Sequence, residues 1–195
     1  MAVGDDRGER NGMTRSWRIA VVSAVVSAAV LAALLGRGFT ASAVATTPSE
    51  QGLPALGHDV LAAVNAFRVA HHLVPLRESP RLARAARQHS REMARVGYFA
   101  HRSASGAAFW RRIGRQFGSR GYRYWSVGEN LLWAAPSVTA SKALKMWIAS
   151  PEHLRNLLAP QWRRVGVSVV HVRGAPGVFH GLDATIVTTD FGARR

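Results

Sequence analysis

The chain contains no cysteine. That excludes a disulfide framework, a thiolate nucleophile and a Cys-ligated zinc site, and leaves the compartment to be read from other signals. Lysine is almost missing too: Lys142 and Lys145 are the only two, so the basic charge is arginine. Acids are scarce, 11 against 26 Lys and Arg, and the formal net charge is +15. There is no G-x-S-x-G elbow, P-loop, H-E-x-x-H or dinucleotide glycine fingerprint, so no local motif identifies an enzyme. Internal repeats and low-complexity blocks are absent as well. What remains is a 195-residue chain, 48% hydrophobic, with apolar content ample for one core.

The N-terminus carries the compartment signal. Residues 19–36 (IAVVSAVVSAAVLAALLG) are uncharged and mostly apolar, and Arg10, Arg15 and Arg18 precede them. A positive flank before a membrane-inserting segment orients the N-terminus inside and the remainder outside the cytoplasm. Small-x-small sites ending at Ala43 and Ala45 suggest cleavage. The length of the apolar run, and Arg37 behind it, suit an uncleaved anchor instead, and both readings stay open. Residues 1–45 are therefore read as signal peptide or signal-anchor, 46–57 (TTPSEQGLPALG) as linker, and 58–195 as one domain.

Within that domain Asp59 is placed to cap a helix carrying Leu61, Val64 and Phe67 and ending near His71. Ser79-Pro80 supplies an N-cap and a first-turn proline for a second helix, Arg81 to Val96, with Leu82, Ala86, His89, Met93 and Val96 on one face. A third helix turns Trp110, Ile113 and Phe117 inward and Arg111, Arg112 and Arg115 outward. Ser137 caps a fourth with Leu144, Trp147 and Ile148, and Ser150-Pro151 opens a short fifth. The β-branched runs 165–172 and 184–192 read as strands. Helices first and paired strands last give an α+β class, with helices layered on a small, mainly antiparallel sheet.

The stretch SVGENLLW (126–133) poses the chemical question. Read as a strand, it puts Val127, Glu129, Leu131 and Trp133 on one face, a carboxylate in an apolar row. Such burial costs several kcal/mol unless the charge is paired or neutralised, and a His or an Arg would serve. His101 follows the second helix, and His153 lies in the first turn of the fifth; both sit at element boundaries, where site residues gather. His58, His71, His72, His171 and His180 read as ordinary surface or hydrogen-bonded residues, and His89 as a satisfied core residue. Two imidazoles and a carboxylate suit a divalent cation or acid–base work.

The order of motifs adds a resemblance. VNAFRVAHHLVPLRESPRLARAARQHSREMA, then YFAH, GEN, MWIASPEHLRNLL, RVGVSV and TTDFG together resemble the CAP superfamily in its bacterial secreted form. That superfamily comprises the cysteine-rich secretory proteins, antigen-5 allergens and plant pathogenesis-related proteins. The resemblance implies an α-β-α sandwich with a central antiparallel sheet. It also implies a cleft of two His and two Glu, which in some members binds zinc or another divalent cation. His101, Glu129 and His153 fill three of those places; the fourth, three residues after Trp147, is Ser150, with Glu152 nearby. The missing carboxylate weakens tight metal binding, since affinity follows ligand number and charge.

These readings lead to an exported, non-enzymatic module that holds a lipid or wall component in a His/Glu cleft. The alternatives are a hydrolase of peptide, wall-polymer or phosphodiester bonds, with metal on His101 and His153 and Glu129 as base, and a purely structural tetrad remnant. The stretch FWRRIGRQFGSRGYRYW (109–125) interleaves Arg with aromatics and reads as core-facing rings under a solvated basic face. If those arginines bind, export favours an anionic envelope polymer or lipid over nucleic acid.

Overall fold

The two β-branched runs near the C-terminus form the centre of the sheet. In the computed structural model, which describes residues 50–195, these are β4 (Arg164–Val172) and β5 (Ala184–Arg194), paired antiparallel. On the far side of β5 runs β3 (Trp125–Ala134), also antiparallel, which forms one edge. The outer side of β4 receives β1 (Glu50–Gly52), antiparallel, and β2 (Arg77–Glu78), parallel.

Strand alternation then gives each helix its face. Val127, Leu131, Val170 and Ile186 meet α2 (Pro80–Val96) and α3 (Phe109–Gln116). Leu132, Val165, Val169, Val187 and Phe191 meet α1 (Pro54–Ala70), α4 (Ala140–Ile148) and α5 (Pro151–Leu157). The result is the expected α-β-α sandwich.

Local rules set α2 well. Ser79 caps it, accepting from the Leu82 N–H, Pro80 occupies the first turn, and Gly97 closes it at φ +80. The helix crosses β4 so closely that a Cβ on Gly166 would lie 2.0 Å from the Ala83 nitrogen. Val96, expected on the inner face, is exposed.

Elsewhere long-range pairing overrides local signals. The first helix starts at Pro54, five residues before Asp59, and Leu53 at its N-cap makes no side-chain capping bond. The stretch read as linker supplies β1 and the first turn of α1, because Gly52 pairs with Val170 and the Leu53 N–H bonds the Val169 carbonyl at 3.0 Å. The cap of α4 is Thr139, accepting from the Lys142 N–H at 3.2 Å, rather than Ser137. The apolar segment 19–36 and the sites at Ala43 and Ala45 lie outside the described residues. Among the described residues, no helix is long and apolar enough to cross a membrane.

Candidate functional site

Glu129 is 1% exposed, so its partners must come from the protein. Three elements provide them. Register places Asp190 of β5 directly opposite it, and directly opposed residues share a face. From α3, Arg112 sends Nη2 to Glu129 Oε2 and Nη1 to the His101 carbonyl at 3.3 Å. From the loop after α2, His101 Nδ1 lies 2.8 Å from Glu129 Oε1. That loop is itself pinned: His89, buried in α2, bonds the Ala100 carbonyl through Nε2 at 2.8 Å. His89 is thus the satisfied core residue expected of it.

The guanidinium corrects the sequence reading. Helical spacing puts Arg112 on the solvated face, yet it is buried against Glu129. The inward stripe of α3 is Phe109, Arg112 and Ile113, with Trp110 only half-buried. The second partner of Glu129 is therefore Arg112, not His153.

His153 approaches from α5, on the other side of edge strand β3. Its carbonyl accepts from Asn130 Nδ2 at 3.2 Å, and Asn156 Nδ2 reaches the Glu129 carbonyl and Asn130 Oδ1, each at 3.0 Å. Asn156 fits because residue 128 is glycine: a Cβ there would meet Asn156 Oδ1 at 2.7 Å. Ser150 stands at the N-cap position of α5, so Ser150-Pro151 does open that helix, but its hydroxyl makes no side-chain capping bond.

The protonation pattern follows from burial. Desolvation, then the Arg112 charge, hold His101 down at about 4; desolvation, then His101, hold His153 at about 4. Both rings are neutral near pH 7. Glu129, as the acceptor of Arg112, takes the His101 Nδ1–H, which leaves His101 Nε2 as a bare acceptor. Burial also raises the carboxyls of Glu129 and Asp190, and two adjacent carboxyls do not both ionise readily. No donor bonds either oxygen of Asp190, and the neighbouring Glu129 adds to burial in raising its carboxyl, so Asp190 is the less readily ionised of the two. Glu129 thus faces one guanidinium, with neutral imidazoles beside it.

The donor set does not fit a metal ion. Both oxygens of Glu129 are engaged, one by a cation that would repel another. Among the described residues, no group of three or more His, Asp or Glu could hold a metal. What stays open is the imidazole edge: His101 Nε2 and both ring nitrogens of His153 are buried with no hydrogen-bond partner among the described residues.

Arg112, Asp190, Asn130 and Asn156 are the site residues that sequence reasoning missed. Spacing could have found Arg112, which stands three residues after Phe109 and beside Ile113. Asp190 needed the strand register.

Comparison with known proteins accords with this architecture. Residues 61–186 match the model of the CAP family, described as the cysteine-rich secretory protein family. The chain belongs to that family. It is similar to Bacillus subtilis (strain 168) "Uncharacterized protein YkwD", 31% identical over 126 residues covering 64% of this chain and 46% of that protein. A solved extracellular protein containing an SCP domain, from Bacillus anthracis, superposes with a TM-score of 0.54 at 27% identity, over 72% of this chain and 41% of that one. An outer surface protein of Borrelia burgdorferi gives 0.56 at 15% identity, over 75% of this chain and 100% of that one, a likeness of fold alone. The chain thus spans less than half the length of its two Bacillus relatives.

Proposed function

We propose that this domain is a non-catalytic binding module working outside the cytoplasm, whose site takes a hydroxyl or similar hydrogen-bonding group of an envelope lipid or wall component at His101 and His153. One observation carries the reading: Glu129 is engaged on both oxygens, while the buried nitrogens of the two imidazoles stand without partners. A buried polar atom left unpaired costs about 1–3 kcal/mol, which a ligand hydroxyl offering both donor and acceptor recovers. Glu129 is 1% exposed and already accepts on both oxygens, one of them from a cation, so it is poorly placed to take a proton from a substrate. The location rests on the apolar N-terminal segment and on the extracellular description of the Bacillus anthracis neighbour.

Native mass spectrometry of the protein recovered from its host envelope tests this. The wild type is expected to carry a non-covalent small molecule that folded His153→Ala loses. Equal retention by the variant would refute the site. Stoichiometric divalent metal, with hydrolysis of an envelope substrate that the variant abolishes, would replace the reading with a hydrolase.

A further inference from the structure

Helix α2 does two unrelated things with its two faces. Its apolar face is buried against the sheet, whereas Arg81, Arg84, Arg87, Arg91 and Arg95 are all exposed. Steps of three and four residues keep them within one stripe of the helix surface. At a rise of 1.5 Å per residue they follow one another at about 4.5–6 Å, over about 21 Å in all.

Two grooves run beside this stripe and join at Arg84, which lines both. One, of about 680 Å³, opens between the start of α2 and the strand ends, with Arg164 and Arg194 on its far wall. Phe117 and Tyr122 hold the Arg194 guanidinium, at 4.1 and 4.5 Å from their ring centres. The other, of about 600 Å³, follows Arg84, Arg87, Arg91 and Arg95. The acids lining the two grooves are Glu78 and Glu92, and Glu92 already accepts the Tyr98 hydroxyl at 2.5 Å.

We infer that this stripe and its two grooves form a docking track for a linear polyol-phosphate polymer of the cell envelope. The planar guanidinium fork matches phosphate oxygens, and a row of them matches a chain that repeats its charge. A membrane surface fits less well, because a helix that lies on a bilayer presents its apolar face to the lipid, and the apolar face of α2 is already in the core. Single-stranded nucleic acid fits less well, because α2 carries no aromatic side chain on which bases could stack and the two rings of the groove, Phe117 and Tyr122, already hold Arg194. The track is separate from the imidazole site. It shares with the proposed function only the location outside the cytoplasm.

The test measures binding of the folded chain to purified poly(glycerol phosphate) across a salt series. Binding is expected to fall linearly in log affinity against log salt. Arg84→Gln with Arg87→Gln should lower affinity about tenfold or more and reduce the slope by about two. Arg155→Gln with Arg173→Gln removes the same charge from exposed positions that line neither groove and should cost less than about threefold. If the first pair perturbs folding, Arg87→Gln with Arg95→Gln replaces it, with the same expectation. Equal losses from track and control pairs would overturn the inference, as would displacement by an equal phosphate concentration of free glycerol phosphate. Tighter binding to single-stranded DNA or to phosphatidylglycerol vesicles, lost in the track variant, would overturn it in favour of those partners. Failure here leaves the His153→Ala test of the imidazole site unaffected.

Discussion

Replacing Arg112 by Met tests the pairing at the centre of the site. The guanidinium is 3% exposed and Glu129 1%, so neither is screened by solvent to any useful extent. Without Arg112, Glu129 keeps the His101 N–H but loses its cation. Breaking a buried pair from one side costs about 3–5 kcal/mol. For a domain of this size that lowers the melting temperature by roughly 6–20 °C. Glu129→Gln strands the guanidinium instead and should cost a similar amount. The double variant removes both charges, so it should be more stable than the sum of the single losses predicts, by about 2 kcal/mol or more. Urea unfolding followed by tryptophan fluorescence measures all four proteins. The loss in Arg112→Met should also grow as pH rises. Its unpaired Glu129 binds a proton in the folded state more tightly than in the unfolded chain, so folding weakens once that proton must leave. A single-variant loss below about 1 kcal/mol, or additive losses across the cycle, would refute the pairing.

Two further expectations follow from the same geometry. His101 and His153 titrate near 4 when folded, against about 6.5 unfolded, so the unfolded chain binds more protons in that interval and stability should climb as pH rises through it. Each contributes up to about 3 kcal/mol, and the raised carboxyl of Asp190 opposes part of the gain; urea midpoints that stay flat or fall would contradict this. Gly166→Ala should destabilise by about 3 kcal/mol or more, because the clash is with the backbone of α2, whereas Gly114→Ala, inside α3 with its nearest contact at 3.8 Å, should stabilise by roughly 0.5–1 kcal/mol; the same melting assay reads both.

The parts of the fold visible in the sequence were those set by local chemistry. Ser79-Pro80 and Ser150-Pro151 mark helix starts because proline at the first turn needs no partner for its missing N–H. Asp59 and Ser137 mislead because Pro54 and Thr139 begin their helices elsewhere. The site was half visible for the same reason. Alternation along β3 exposed Glu129 as an acid in need of a partner. Arg112 escaped because the spacing of Trp110, Ile113 and Phe117 points to a different face of α3 from the buried stripe, which runs through Phe109 and Ile113. Asp190 escaped because one acid in a β-branched run carries no local mark, and only the long-range pairing of β3 with β5 sets it beside Glu129.

The protonation state of His101 tests the account most directly. Nitrogen-15 NMR of histidine-labelled protein should find this ring neutral at pH 7, protonated on Nδ1 with Nε2 bare, and should see it gain its second proton only near pH 4. An imidazolium at neutral pH, or the proton on Nε2, would mean that Glu129 is held some other way and that the open acceptor proposed for the ligand does not exist.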